Sequence, residues 1–195
     1  ASLLATTVLV LGSPATFAQT TPDYMDSSLP VAKRVDDLVG RMTLEEKVSQ
    51  MQNHSVAIPR LNVPEYDWWS EGLHGIARSG YATVFPQAIG LAATWDVPLM
   101  HTVATTISAE AHAKHQEALR PGNHSIYFGL NLWSPNINIL LDPRWGRGQE
   151  TYGEDPFLTS RLGVAFVKGL QGDDPHYYRT IATPKHFAVH SGPEN

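Results

Sequence analysis

Apolar positions recur at helical spacing in three stretches of this chain and suit strands in two more, with a polar, aromatic-rich segment among them. Val31, Val35, Leu38 and Val39 share one face within residues 30–51, a stretch that reads as two short helices. The second is opened by Thr43-Leu44-Glu45-Glu46, which has the spacing of a capping box. Behind Asp96 and Pro98, an N-cap and an early proline, Leu99, Val103, Ile107 and Ala111 repeat every four residues and predict a helix running to near Pro121. Asp155-Pro156 repeats that start, and Leu158, Leu162, Ala165, Phe166 and Leu170 carry an apolar stripe to Gly172. Residues 130–141 read as a strand, with Asn136 and Asn138 alternating against Ile137 and Ile139, and residues 178–187 as the next. Residues 53–81 read as a long irregular region. The order strand, polar loop, helix, strand is that of a βαβ unit and predicts a parallel sheet in an α/β fold, with a site in the loops at the strand C-termini.

Composition narrows the class. Among 195 residues 42% are hydrophobic and 17% charged, the balance of a globular protein with a core of its own. The formal net charge is −5 and no Lys/Arg cluster occurs, which argues against a nucleic acid or an anionic membrane surface as partner. Cysteine is absent, so disulfides and thiolate metal sites are excluded. Residues 1–18 resemble a secretory signal peptide: an apolar run from Leu3 to Leu11, then Gly12, Ser13, Pro14 and a small-residue ending at Ala18. The initiator Met and basic n-region of such a leader are missing, and the first basic residue is Lys33. This reading makes the protein exported, periplasmic or extracellular, with a polar linker at 19–29 and one domain from residue 30 to 195.

Between Trp133 and Glu194, Asn, Arg, Glu, Lys and His are concentrated among Gly, Pro and aromatics. Such side chains are costly to bury and unnecessary for a fold, so their density points to a site gripping hydroxyls or carboxylates. Arg147, in one loop with Arg144, Glu150, Glu154 and Asp155, offers a forked donor to adjacent sugar hydroxyls or a carboxylate; the plain alternative is an Arg/Glu network that only pins a long loop. Arg144, Glu154 and Asp155 read as structural, Asp155 as a helix cap. Lys185 and His186 stand where a parallel strand should end, on the ligand face of an α/β fold. Successive strand residues face opposite sides, so both enter one pocket only if the backbone departs from regular β geometry there. Glu71 lies beside Trp68 and Trp69, and aromatic faces next to a carboxylate suit a sugar. His186 and His190, with Glu194, raise a metal site that Pro184 and Gly192-Pro193 disfavour by breaking any helix. Glu110, His112 and His115 read as a solvated helix face. No Gly-rich phosphate loop and no G-x-S-x-G elbow is present.

Four ordered segments resemble the N-terminal domain of glycoside hydrolase family 3, in its β-xylosidase and β-glucosidase branch: Tyr66 to Gly75, Phe85 to Trp95, Leu132 to Pro156 and Pro184 to Glu194. Two places depart from patterns found in the family. Ala188-Val189-His190-Ser191 replaces the Pro-Gly-His-Gly of the hexosaminidase branch, and Glu110-Ala111-His112-Ala113 a common Glu-Ala-Arg-Ala. The resemblance implies the N-terminal part of a (β/α)₈ TIM-like barrel, a following α/β sandwich domain, and exo-acting retaining hydrolysis of terminal β-linked sugars from oligosaccharides or glycosides without a cofactor. It further implies that Glu71, Arg147, Lys185 and His186 bind the terminal sugar. The nucleophile and the acid/base carboxylate are expected beyond Asn195, so that this stretch by itself is expected to be inactive. Two other readings stay open: a carbohydrate-binding protein without chemistry, and a metal-dependent hydrolase.

Overall fold

The computed structural model describes residues 21–187, which leaves the leader, His190 and Glu194 outside the described residues. The chain divides into two compact units at Thr43–Leu44. In the first, helix α1 (Val31–Arg41) packs with a 3₁₀ turn at Asp23–Met25. The Tyr24 N–H donates to Asp37 Oδ2 at 3.1 Å, Arg34 Nε donates to the Tyr24 carbonyl at 3.1 Å, and Lys33 pairs with Asp23 at 2.9 Å.

The second unit begins with α2 (Leu44–Ser49), directly after Thr43. Short strands β1 (His54–Ser55) and β2 (Tyr66–Asp67) then pair antiparallel inside the stretch expected to be irregular. Beyond it come α3 (Ala88–Ala92), α4 (Val97–Leu119), β3 (Asn131–Leu132), α5 (Pro156–Gln171) and β4 (Ile181–Ala182). Both long helices start as predicted: Asp96 Oδ1 accepts from Leu99 N at 2.8 Å and Asp155 Oδ1 from Leu158 N at 2.6 Å, each satisfying an otherwise orphaned donor of the first turn. Helix α5 ends at Gly172, whose φ of +72° suits a residue without Cβ.

The predicted strands are much shorter than the apolar runs that suggested them, because only part of each run has a hydrogen-bonded neighbour. A parallel ladder nevertheless continues past them. Ser70 N donates to Asn131 O (3.2 Å) and Trp133 N to Ser70 O (2.8 Å), so the Trp68–Glu71 segment is a first parallel element not expected from sequence. On the other side of β3, Ile181 N donates to Leu130 O (2.9 Å), Thr183 N to Leu132 O (2.9 Å), Lys185 N to Pro135 O (2.9 Å) and Ile137 N to Lys185 O (2.8 Å). Three successive segments thus run parallel, with α3 and α4 leading from the first to the second and α5 from the second to the third. This is the βαβαβ start of a barrel.

The core fills the space between helices and sheet: Met100, Val103, Ala104, Ile107, Leu132, Leu162, Phe166 and Leu170 are buried in one cluster. Burial of each large side chain stabilises by roughly 1.5–3 kcal/mol before conformational entropy is counted. The predicted stripe on α4 holds except at Leu99, which is 39% exposed. His112 is exposed, as expected of a solvated face, whereas Glu110 and His115 are half-buried. His115 Nδ1 lies 2.7 Å from the Phe128 carbonyl, and Glu110 accepts from both the N–H and the hydroxyl of Thr83, so both tie loops to α4.

Helices α4 and α5 approach closely at Gly169, where an added Cβ would stand 2.5 Å from the His101 carbonyl oxygen and 2.7 Å from Ala104 Cβ. The obstacle is backbone and cannot swing away. Gly169→Ala is expected to destabilise the protein by about 1–3 kcal/mol through overpacking, read as a lower midpoint in denaturant unfolding.

Candidate functional site

The site is assembled at one end of the three parallel segments. In the first, Asp67 Oδ1 accepts from the Trp69 backbone N–H at 3.0 Å, and the Trp69 indole N–H donates to Glu71 Oε1 at 3.0 Å. The Trp69 ring stacks on Trp133 with centroids 4.5 Å apart and planes 7° from parallel, and meets the Tyr127 ring edge-on at 6.4 Å. Arg78 lies over the Tyr127 ring, 5.4 Å from its centroid. Trp133 and Tyr127 were not singled out from sequence, because only chain pairing brings them to Trp69.

Lys185, at the end of the third segment, donates from Nζ to Glu71 Oε2 at 3.0 Å, closing a pair 114 residues apart in sequence. The side chains are only 11% and 23% exposed. A largely desolvated pair of this kind is costly unless its remaining valences are met, and Glu71 meets them in part through Trp69. The second lone pair of each Glu71 oxygen and the other Nζ hydrogens are the polar valences that this geometry leaves for a ligand.

The backbone departs from regular β geometry between Lys185 and His186, as expected, with a cis peptide at that bond. Asn138 Oδ1 lies 3.0 Å from the His186 backbone nitrogen and 2.9 Å from its Nδ1. Asn138 is itself turned by Asn136, whose Oδ1 accepts its N–H at 3.0 Å; Asn136 is 1% exposed. The residues 130–141 therefore do not alternate as a strand throughout: past Pro135 they form an Asx turn that holds the histidine.

Arg147 sits in the long loop before α5. Its Nε and one terminal nitrogen donate to Glu150 Oε1 and Oε2 at 2.7 and 2.6 Å, a fork-on-fork pair across a 3₁₀ turn (Gly148–Glu150). Burial pushes the Glu150 carboxyl up, but the hydrogen bonds from Arg147 and the positive charges of Arg147 and Lys185 outweigh it, leaving the pKa below its ordinary value. Arg144 pairs instead with Asp142 on the surface, 2.6 Å apart, as its structural reading predicts.

The structure thus joins Glu71 directly to Lys185, and ties His186 to Asn138 and Arg147 to Glu150. Clefts of about 420 and 370 Å³ border α5, the first toward α4 at His101 and Arg161, the second at Ile137, Gly163 and Pro184; neither is lined by any of the four candidates. Among the described residues, no group of three or more His, Cys, Asp or Glu side chains is arranged to hold a metal, and His190 and Glu194 lie outside them. No described helix is long and apolar enough to cross a membrane.

Known proteins resemble this chain in sequence and fold. Residues 29–195 match the glycosyl hydrolase family 3 N terminal domain. A xylan 1,4-β-xylosidase of Xylanibacter ruminicola is 48% identical over 180 residues, covering 91% of this chain and 21% of that protein. β-D-xylosidase 3 of Arabidopsis thaliana is 42% identical over 86% of this chain and 22% of its own length. Among solved structures, a family 3 exo-β-xylosidase in complex with a xylobiose aziridine activity-based probe superposes with a TM-score of 0.76 at 38% identity, covering 86% of this chain and 22% of that one. A β-glucosidase from Erythrobacter marinus does so with 0.64 at 28% identity, over 87% and 27%. The chain spans about a fifth of the length of the curated relatives it matches. With three parallel segments laid out as in these enzymes and the family's domain covering residues 29–195, the chain belongs to glycosyl hydrolase family 3.

Proposed function

We propose that this chain supplies part of the terminal-sugar subsite of an exported, exo-acting β-glycosidase that hydrolyses oligosaccharides or glycosides with retention, of β-xylosidase type before β-glucosidase type. The observation that carries the proposal is the Lys185–Glu71 pair at the ends of two parallel segments, backed by stacked Trp69 and Trp133. A carboxylate and an ammonium side by side offer acceptors and donors to vicinal hydroxyls, while the indole faces suit the C–H face of a pyranose ring. The names of the curated relatives favour xylosides.

Retaining hydrolysis needs two carboxyl groups about 5–5.5 Å apart, one free to attack and one to protonate the leaving oxygen. Glu71 has one oxygen engaged by Trp69 and the other by Lys185, and Glu150 has both engaged by Arg147. Both carboxylates are held as binding or positioning groups. The nucleophile and the acid/base belong to other parts of the complete protein, and no metal or organic cofactor enters the scheme.

The complete encoded protein is expected to cleave an aryl β-D-xylopyranoside, with β-xylose as the first product seen by proton NMR. Sugar binding without turnover of any β-glycoside supports the non-catalytic carbohydrate-binding reading instead, and a stoichiometric bound metal ion required for turnover supports the metal-dependent one. Glu71→Gln is expected to lower kcat/KM by about 10- to 150-fold, the loss of a charged hydrogen-bonding partner worth roughly 1.5–3 kcal/mol. An unchanged kcat/KM removes Glu71 from the site.

The Glu150 shift has a definite sign in pH. A carboxyl whose folded pKa is depressed contributes stability that is present above its unfolded value and is lost as pH falls through the folded one. Glu150→Gln is therefore expected to flatten the acid side of the stability curve, measured by chemical unfolding from about pH 7 down to about pH 3. An unaltered slope contradicts the role of the Arg147 fork.

A further inference from the structure

The geometry points to Asn138 as a positioning residue that fixes the tautomer of His186 and thereby decides what that ring can bind; this rests on the sugar-subsite reading above. Asn138 presents one atom to two nitrogens of His186, the backbone N at 3.0 Å and Nδ1 at 2.9 Å. Distances alone do not tell an amide oxygen from an amide nitrogen. The partner does, because a backbone N–H only donates, so the atom facing it must be the oxygen. An amide oxygen in turn only accepts, so Nδ1 of His186 must carry a hydrogen.

The consequence falls on the other ring nitrogen. With Nδ1 protonated, Nε2 of the neutral imidazole is a lone pair, and whatever approaches it must donate. A sugar hydroxyl does so. A carboxylate or phosphate cannot, unless the ring takes up a second proton. The mount of Asn138 makes this a fixed property: its N–H is held by buried Asn136 at 3.0 Å, while the intervening Ile137 N–H is held by the Lys185 carbonyl at 2.8 Å. The stretch Asn136–Asn138 thus grips both members of the Lys-His pair, one through its backbone and the other through a side chain.

Neutron diffraction on crystals of the complete encoded protein reads the tautomer without relying on activity. Deuterium on Nδ1 of His186 is expected in the wild type and in Asn138→Asp, which keeps an accepting oxygen, and is expected to be lost from Nδ1 in Asn138→Ala. In the same Ala variant, KM for an aryl β-xyloside is expected to rise about tenfold while kcat changes less than about threefold. A neutral wild-type ring with hydrogen on Nε2 alone, or an Ala variant with an unchanged tautomer and KM, overturns the inference. Should the Ala variant not fold, the wild-type and Asp measurements decide it. An inactive protein with Nδ1 protonated defeats the glycosidase reading and leaves this one standing, whereas an active protein with Nε2 alone protonated defeats only this one.

Discussion

Two opposite charges with little access to water, Lys185 and Glu71, meet across 114 residues, and the arrangement of the strand ends follows from the need to hold them together. Desolvation of each charge costs several kcal/mol, an expense offset only by good geometry and further hydrogen bonds. Those hydrogen bonds require Trp69 beside Glu71, Trp133 against Trp69, and the first and third segments on either side of β3. Replacing such a pair with apolar side chains is often neutral or stabilising, so the pair adds little to the fold's stability for its cost.

The helical layer supplies the rigidity that this arrangement needs. Phe166, Leu162 and Leu170 from α5 and Met100, Val103 and Ile107 from α4 share one buried cluster with Leu132 of β3. The central strand is thus anchored to the layer behind it a few residues before its chain turns into the site. Gly169 sets how near the two helices can lie, and hence how closely the segments they connect can sit. Strand ends carry the polar residues, helices carry the apolar stripes, and the loop before α5 brings in Arg147.

Much of the helical part was legible because its signals are local. Asp96 and Asp155 cap the helices that their positions announce, and the four-residue spacing of Val103, Ile107 and Ala111 marks the face that is buried. The strands were overextended, since an apolar run such as 130–141 says what is buried but not which residues find a ladder partner. The first parallel segment was missed for the same reason: Trp68–Glu71 is too short to show alternation, and its pairing with Asn131 and Trp133 is a long-range fact. Residue chemistry and the family resemblance marked Glu71, Arg147, Lys185 and His186 as candidates, whereas the contacts of Asn138, Trp133 and Tyr127 depend on the fold. Asn136 and Asn138 looked like strand alternation; the side-chain hydrogen bond of an Asx turn distinguishes the two, and spacing alone does not.

The central claim is that one pyranose ring spans Glu71, Arg147, Lys185 and His186. Crystals of the complete encoded protein soaked with xylose test it most directly. The account predicts a single ring whose hydroxyl oxygens lie about 2.6–3.2 Å from all four side chains, beside the Trp69 indole. A xylose bound elsewhere, with those four side chains away from it, would contradict the account.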